Sequence, residues 1–480
     1  MRFVFIQPPD GSFDSDLGPR LSFTTSRQHN LGAISLASYL RNHGHETFFV
    51  DGSRIARLNE NIRQTTITDI VNQVIHLKPD VIGLTILTSQ VYESMHLVKI
   101  LRSRFPSKLI IAGGPHPSNE PEVTLEQIPE LNAICLGPGE EACLEIAENK
   151  PFSEIAGLAF LRDGKYFYSG MRKFTANLDH LPAPAYDLLD TQFFTGLNCY
   201  TSHGYLTKSL GMMASRGCVA KCYFCCSHWN TQLRFHSVEY VIEQCRQLLT
   251  SYPHVTTINF YDVSIAARRD WLINFCNSLL STGLYRRFNW TVLVRADQID
   301  YEILKHMREA GCILAMFGLE SGSDRILKLY NKRVTVEQSI QAAQDIYRAG
   351  IALLVSTIFG APGETLDEMN ATINIVQDLP IHHLGYGRFC PLPGSQAYDD
   401  MVTCGKIDPR NVNWELLSNY SRIDGPCYAD VDPLEFQHIL KTFGQYCYER
   451  NMEQIYLTNK SAYPEVVKLI VQREGGYVPN

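Results

Sequence analysis

Cys218, Cys222 and Cys225 stand at C-x3-C-x2-C spacing inside Gly-Met-Met-Ala-Ser-Arg-Gly-Cys-Val-Ala-Lys-Cys-Tyr-Phe-Cys-Cys-Ser-His-Trp, residues 211–229. Three thiolates so close along one loop can bind three irons of a [4Fe–4S] cube, since cysteine thiolate is the usual ligand of such clusters. The fourth iron is then open to a substrate or cofactor. A zinc knuckle is the competing chemistry; it wants a fourth Cys or His, and Cys226 and His228 stand close enough to supply one. A third reading makes the three thiols incidental core residues. An apolar run, 210–214, leads into the loop and hangs the ligands just past the end of a strand.

The elements around this loop alternate. Strand-like runs at 212–215, 256–261, 289–294, 313–317, 352–358 and 383–389 are each followed by helical periodicity or a turn. Six strand–helix units predict a partial (β/α)6 barrel, whose active site lies at the carboxyl ends of its strands. Asp262, Arg295, Glu320 and Pro362-Gly363 all fall at such ends, with the cysteines. Each also has a plain structural reading. Gly-Leu-Glu-Ser-Gly-Ser can be a turn with a serine N-cap, and Pro-Gly-Glu a helix start with Glu in its first turn.

The first 150 residues alternate as well, with strands at 2–7, 46–50, 81–87, 109–112 and 133–136. Five strands alternating with helices predict a doubly wound, Rossmann-like α/β domain that binds ligands at its strand ends. The loops there carry Pro8-Pro9, Thr88-Ser89, Gly113-Gly114-Pro115-His116 and Gly137–Glu140. Small residues at those places permit close backbone approach to a flat ligand. A flavodoxin-like receiver or partner domain is the alternative for this half. Residues 151–204 carry a hairpin signal around Arg162-Asp163-Gly164 and then a proline-broken linker. From 399 to 480 the chain is mainly helical, notably 434–450 and 463–472, and is expected to cap the barrel mouth.

At 480 residues the chain has room for about three domains. Its 45% hydrophobic and 19% charged content are those of an ordinary folded protein. A net charge of −7 and a pI near 6.1 give no support for a nucleic-acid surface. The N-terminal residues lack a secretory h-region, and no apolar run reaches a membrane-spanning length. The fourteen cysteines therefore read as one cluster site plus buried small hydrophobes in a reducing, cytoplasmic setting.

The cysteine spacing, with Phe224 just before the third thiol, resembles the radical S-adenosylmethionine (SAM) enzymes. "GLESGSDRILKLYNK", "IFGAPGET" and "CPLPGS" follow in the order of that barrel, so the likeness covers about residues 205–398. "KPDVIGLTILTSQ", "IIAGGPHPS" and "GPGEE" resemble the cobalamin-binding domain that precedes the barrel in a large subfamily, residues 1–150 here. Pro138 departs from it, standing where a Glu is common. The resemblance implies three cofactors: a [4Fe–4S] cluster on Cys218, Cys222 and Cys225, SAM, and cobalamin. It implies Phe224, Asp262, Arg295, Glu320 and Ser356 around SAM, with Asp262 accepting from its amino group and Arg295 pairing with its carboxylate. Val263 follows Asp262 where a second aspartate is common. It implies Pro9, Thr88, Ser89, Gly113, Gly114, Pro115, His116, Gly137, Gly139 and Glu140 around cobalamin. An electron donor such as flavodoxin or ferredoxin is the implied partner.

His29-Asn-Leu-Gly32-Ala33 looks like the tail of the D-x-H-x-x-G motif that supplies cobalamin's lower imidazole ligand in other enzymes. Arg27 stands where the acid that would orient such a histidine belongs. His29 is thus either a cobalt ligand or a polar residue near a helix start. The expected activity is methyl transfer from SAM, through methylcobalamin, to an unactivated carbon of a small molecule. Oxidative cyclisation or ring rearrangement with the same cofactors is the alternative, and a non-catalytic cobalamin or iron–sulfur sensor a third reading. A methylthiotransferase is disfavoured, because no cysteine triad precedes the barrel.

Overall fold

The computed structural model describes residues 1–9, 29–59, 62–196, 204–226, 232–418 and 422–473. The first sheet is built from β1 (Arg2–Gln7), β2 (Glu46–Asp51), β3 (Val81–Thr85), β4 (Leu109–Gly113), β5 (Ala133–Cys135), β6 (Leu158–Arg162) and β7 (Lys165–Tyr168). On β1, Phe3 and Phe5 enter one core cluster while Val4 and Ile6 enter another. Both faces of the strand are apolar because helices cover both, as the crossovers of a parallel sheet require. The spatial order is β2-β1-β3-β4-β5, all parallel. The strand order reverses between β1 and β3, so a ligand crevice is expected at the carboxyl ends there.

One boundary differs from the sequence reading. The hairpin of β6 and β7 is not part of a free linker: it extends the first sheet antiparallel from β5. Alternation along a hairpin shows that it forms, but not what its outer edge pairs with.

The second sheet is fully parallel in the order β15-β14-β13-β12-β11-β8. Its strands are β8 (Ser209–Met212), β11 (Thr257–Phe260), β12 (Asn289–Leu293), β13 (Cys312–Glu320), β14 (Ala352–Phe359) and β15 (His383–Arg388). The expected first strand, 212–215, lies three residues too late. Residues 215–216 instead form β9 (Ser215–Arg216), which pairs with β10 (Arg234–Phe235) in a two-stranded ribbon flanking the cysteine loop. Capping residues set the helix starts. Ser323 accepts from Ile326 N, and Thr335 and Thr365 form capping boxes with Gln338 and Glu368.

Six strands leave a barrel open between β8 and β15, and the helix Pro433–Asn459 covers the seam. Asn451 accepts from the amide of Leu384 at 2.8 Å and donates to its carbonyl at 2.8 Å, satisfying edge-strand groups of β15. Eight residues on, Asn459 accepts from Leu206 N at 2.8 Å and donates to Gly204 O at 2.7 Å. The preceding segment runs the other way, to the first domain. Trp414, fully buried, packs edge-on against His116 at 4.8 Å and donates to Gln127 Oε1 at 3.0 Å. The expected mouth cap is therefore a seam-closing helix and a clamp on the first domain. Among the described residues no helix is long and apolar enough to cross a membrane.

Candidate active site

Gly217, with φ 97°, turns the chain out of β9 into the cysteine loop. Cys222 is buried, and Cys218 and Cys225 are half-buried. Two backbone hydrogen bonds fix the segment between the last two thiols: Tyr223 N donates to Tyr330 O at 2.8 Å, and Ala397 N to Tyr223 O at 2.9 Å. Phe224 is half-buried and meets the Tyr330 ring edge-on at 5.0 Å, so it serves the loop's packing. Among the described residues no three His, Cys, Asp or Glu side chains converge as they would on a single metal ion. The loop supplies three thiols, the number that a cluster with one open iron needs. His228 lies outside the described residues.

Cations surround Cys222. Arg295 Nη1 lies 3.9 Å from its sulfur. The rest of that guanidinium is committed: Nε and Nη2 donate to Asp297 at 2.9 and 3.1 Å, and Nη2 also to Lys332 O at 2.7 Å. Burial raises the Cys222 thiol above its ordinary range, while Lys332 and Arg295 pull it back down. The structure therefore gives Arg295 a place beside the thiol, with Nη1 alone free of carboxylate, rather than a whole fork for an incoming carboxylate.

Glu320 closes β13 in a left-handed conformation, φ 64°, and the register with β14 slips between Gly318 and Glu320. A Cβ on Gly318 would fall 1.8 Å from Glu320 Oε1, so the carboxylate folds back over a site that only glycine leaves open. Gly318, Ser356 and Gly385 stand in register across three strands, all half-buried. That row is poor in side chains.

Asp262 departs from expectation. It is fully buried, accepts from Ala214 N at 3.1 and 3.0 Å, and takes the Ser215 hydroxyl. Burial pushes its carboxyl up to about 6. It braces the root of the cysteine loop against β11 and presents no oxygen to a ligand.

At the carboxyl ends of the first sheet lies a cavity of about 230 Å³. Gly113, Gly114, Gly137, Gly139 and Glu140 line it as expected, and Gly114 (φ 97°) and Gly137 (φ 75°) take backbone conformations natural to glycine. Its remaining wall is largely apolar, including Leu36, Ile111 and Cys143. A mostly apolar crevice with glycine backbone at the strand ends fits a large flat cofactor. Five expected residues do not line it. His116 is fully buried under Trp414, Thr88 bonds His116 at 3.3 Å, and Ser89 opens onto a separate cleft beside Arg63 and Glu93. Pro9 is buried against Gly52, and Pro115 starts a short helix. Thr88 and Ser89 lie in a 3-10 turn and Pro115 and His116 in a short helix, so the turn and not the preceding strand sets where their side chains point.

His29 does not line the cavity either. It sits among Tyr186, Phe194 and Tyr261 at ring distances of 5.9, 5.7 and 6.0 Å. Burial holds it near 4, hence neutral. The imidazole is thus packed between the linker's Tyr186 and Phe194 and the barrel's Tyr261.

The cavity's far wall belongs to the barrel. Met213 and Arg216, at the root of the cysteine loop, face into it, and Arg216 Nη1 pairs with Glu140 Oε1 at 2.7 Å. Lys332, Gly318, Met213 and Arg216 were not singled out from the sequence. A glycine two residues before Glu320 and an arginine two before Cys218 were the available signals.

The Radical SAM superfamily pattern matches residues 212–376, and the B12 binding domain pattern residues 24–147. An uncharacterised methyltransferase of Pyrococcus horikoshii is 30% identical over 82% of this chain and 82% of its own. An anaerobic magnesium-protoporphyrin IX monomethyl ester cyclase of Cereibacter sphaeroides is 23% identical over 68% of this chain and 53% of its own. The solved cobalamin-dependent S-adenosylmethionine radical enzyme OxsB, with aqua-cobalamin and S-adenosylmethionine bound, shares the fold. Its TM-score is 0.70 at 18% identity, over 98% of this chain and 74% of that one. The chain thus belongs to the cobalamin-dependent radical SAM enzymes, with a [4Fe–4S] cluster, SAM and cobalamin as its cofactors.

Proposed function

We propose that this enzyme moves a methyl group from SAM, by way of cobalamin, to an unactivated carbon of a small molecule. The observation that carries the reading is the shared cavity: strand-end glycines of the first domain form one wall, and Met213 and Arg216 beside the cysteine loop form the other. Substrate held there would meet both halves of the chemistry. When bound, the cluster with SAM supplies hydrogen abstraction from carbon and cobalamin supplies a methyl group.

The chain's own residues bind, orient and exclude water. Cys218, Cys222 and Cys225 would hold the cluster, with Arg295 beside Cys222 offsetting negative charge. The Gly318–Ser356–Gly385 row would admit SAM, and Glu320 supplies the carboxylate beside that row. Gly113, Gly114, Gly137 and Gly139 would let cobalamin approach the backbone, while the apolar wall keeps water from the reacting carbon. An electron enters from a low-potential donor of the flavodoxin or ferredoxin kind.

The similarity to a cyclase supports a second reading, ring closure without methyl transfer. The reconstituted enzyme, given methyl-labelled SAM and a small-molecule extract, separates the two. A product carrying one labelled methyl group supports the methyltransferase; one that loses two hydrogens and gains no label supports the cyclase.

A further inference from the structure

The turn Tyr330–Arg333 touches three parts of the site. Asn331 (φ 49°) and Arg333 (φ 55°) both hold left-handed backbone, which residues other than glycine rarely adopt. Between them Lys332 turns inward, its side chain only 11% exposed, with Nζ 2.6 Å from Glu320 Oε1. Glu320 is itself left-handed, so three of the six described non-glycine residues with positive φ gather here. Strain persists only where surrounding structure enforces it, and it concentrates at working sites.

What enforces it is visible. Asn331 Nδ2 donates to Lys221 O at 2.7 Å, within the cysteine loop, and Tyr223 N donates to Tyr330 O at 2.8 Å. Arg295 Nη2 donates to Lys332 O at 2.7 Å while its Nη1 faces Cys222. The turn is therefore sewn to the cluster loop on one side and to Arg295 on the other, and its ammonium is delivered to the carboxylate at the barrel mouth.

We propose that Lys332 is a positioning residue with two effects: it fixes the Glu320 carboxylate for SAM, and with Arg295 it stabilises the more negative charge state of the cluster. The proposal rests on the cofactor assignment above. A carboxylate only 6% exposed is costly to hold without a countercharge, so losing the ammonium frees the Glu320 side chain from its place. Reduction adds one electron, taken from a low-potential one-electron donor, and no proton. A fixed cation in a poorly solvated site favours that added negative charge.

The test uses the full-length protein with its cluster reconstituted, in wild-type, Lys332→Met, Lys332→Arg and Glu320→Gln forms. SAM affinity is read by equilibrium dialysis, and the cluster's midpoint potential by a dithionite titration followed by electron paramagnetic resonance. Lys332→Met is expected to weaken SAM binding about tenfold, as for a lost charge-assisted hydrogen bond, and to move the potential negative; Lys332→Arg restores both toward wild type. Glu320→Gln weakens SAM binding too but moves the potential the opposite way, because it removes a negative charge. A pair that only braces the turn, too far from the cluster and from SAM to act on either, would change neither potential nor SAM affinity; shifts of one sign, or none, or unchanged SAM affinity, overturn the proposal. A wild-type chain that takes up no cluster overturns the cofactor assignment, and this proposal with it.

Discussion

His29 and His116 are both held neutral by burial, His29 near 4 and His116 near 3, against an ordinary value of 6.5. A histidine whose folded value is depressed contributes stability above 6.5, and that contribution is lost as pH falls through the folded value. Asp262 and Glu364 run the other way. Burial lifts them to about 6 and about 7, so their contribution is complete below the ordinary carboxylate range and is lost as pH rises through those values. The two sets oppose each other between about pH 4 and 6.5, and only a variant comparison isolates one of them. His29→Phe keeps an aromatic ring among Tyr186, Phe194 and Tyr261. Denaturant titrations are expected to show it gaining on wild type, by up to about 3 kcal/mol, as pH falls from 6.5 to 4. Its cobalamin content and absorption spectrum should match wild type. A lost or shifted cobalamin spectrum would restore His29 as a cobalt ligand.

Strands and helices were legible where their periods were long: the alternation of strand and helix in both halves needed only hydrophobic spacing and glycine stops. The cysteine triad was equally plain, since spacing alone limits what three thiols on one loop can do. What could not be read was direction. Asp262 and His116 follow strands as a ligand-facing residue would, yet both point into the core: parallel strands are apolar on both faces and give no alternation to set the direction of Asp262, and a short helix sets that of His116. Lys332 was hidden for a related reason, its inward course depending on two left-handed neighbours. The C-terminal elements show the limit most clearly. Their stripes of apolar residues announced helices but not which surface each would cover. Trp414 is the anchor of the segment clamped on the first domain, and Trp414→Ala is expected to cost about 3–5 kcal/mol in chemical denaturation. A loss below about 1 kcal/mol would mean that the clamp is not docked in solution.

At the scale of the molecule, one continuous core runs from Phe3 and Phe5 of the first sheet through the barrel strands to Phe443 of the seam-closing helix. Tyr186 from the linker donates to Gly211 O at 2.8 Å, and the Arg216–Glu140 pair joins the cluster loop to the cavity's rim. The strand ends of the first domain and the root of the cysteine loop thus line one cavity, the arrangement on which the proposed methyl transfer rests. The most direct test needs no substrate. The protein is loaded anaerobically with iron, sulfide and cobalamin, then given methyl-labelled SAM and a low-potential reductant. Labelled methylcobalamin, formed together with S-adenosylhomocysteine, is the predicted result. Retained cobalamin that stays unmethylated while 5′-deoxyadenosine accumulates would contradict methyl transfer.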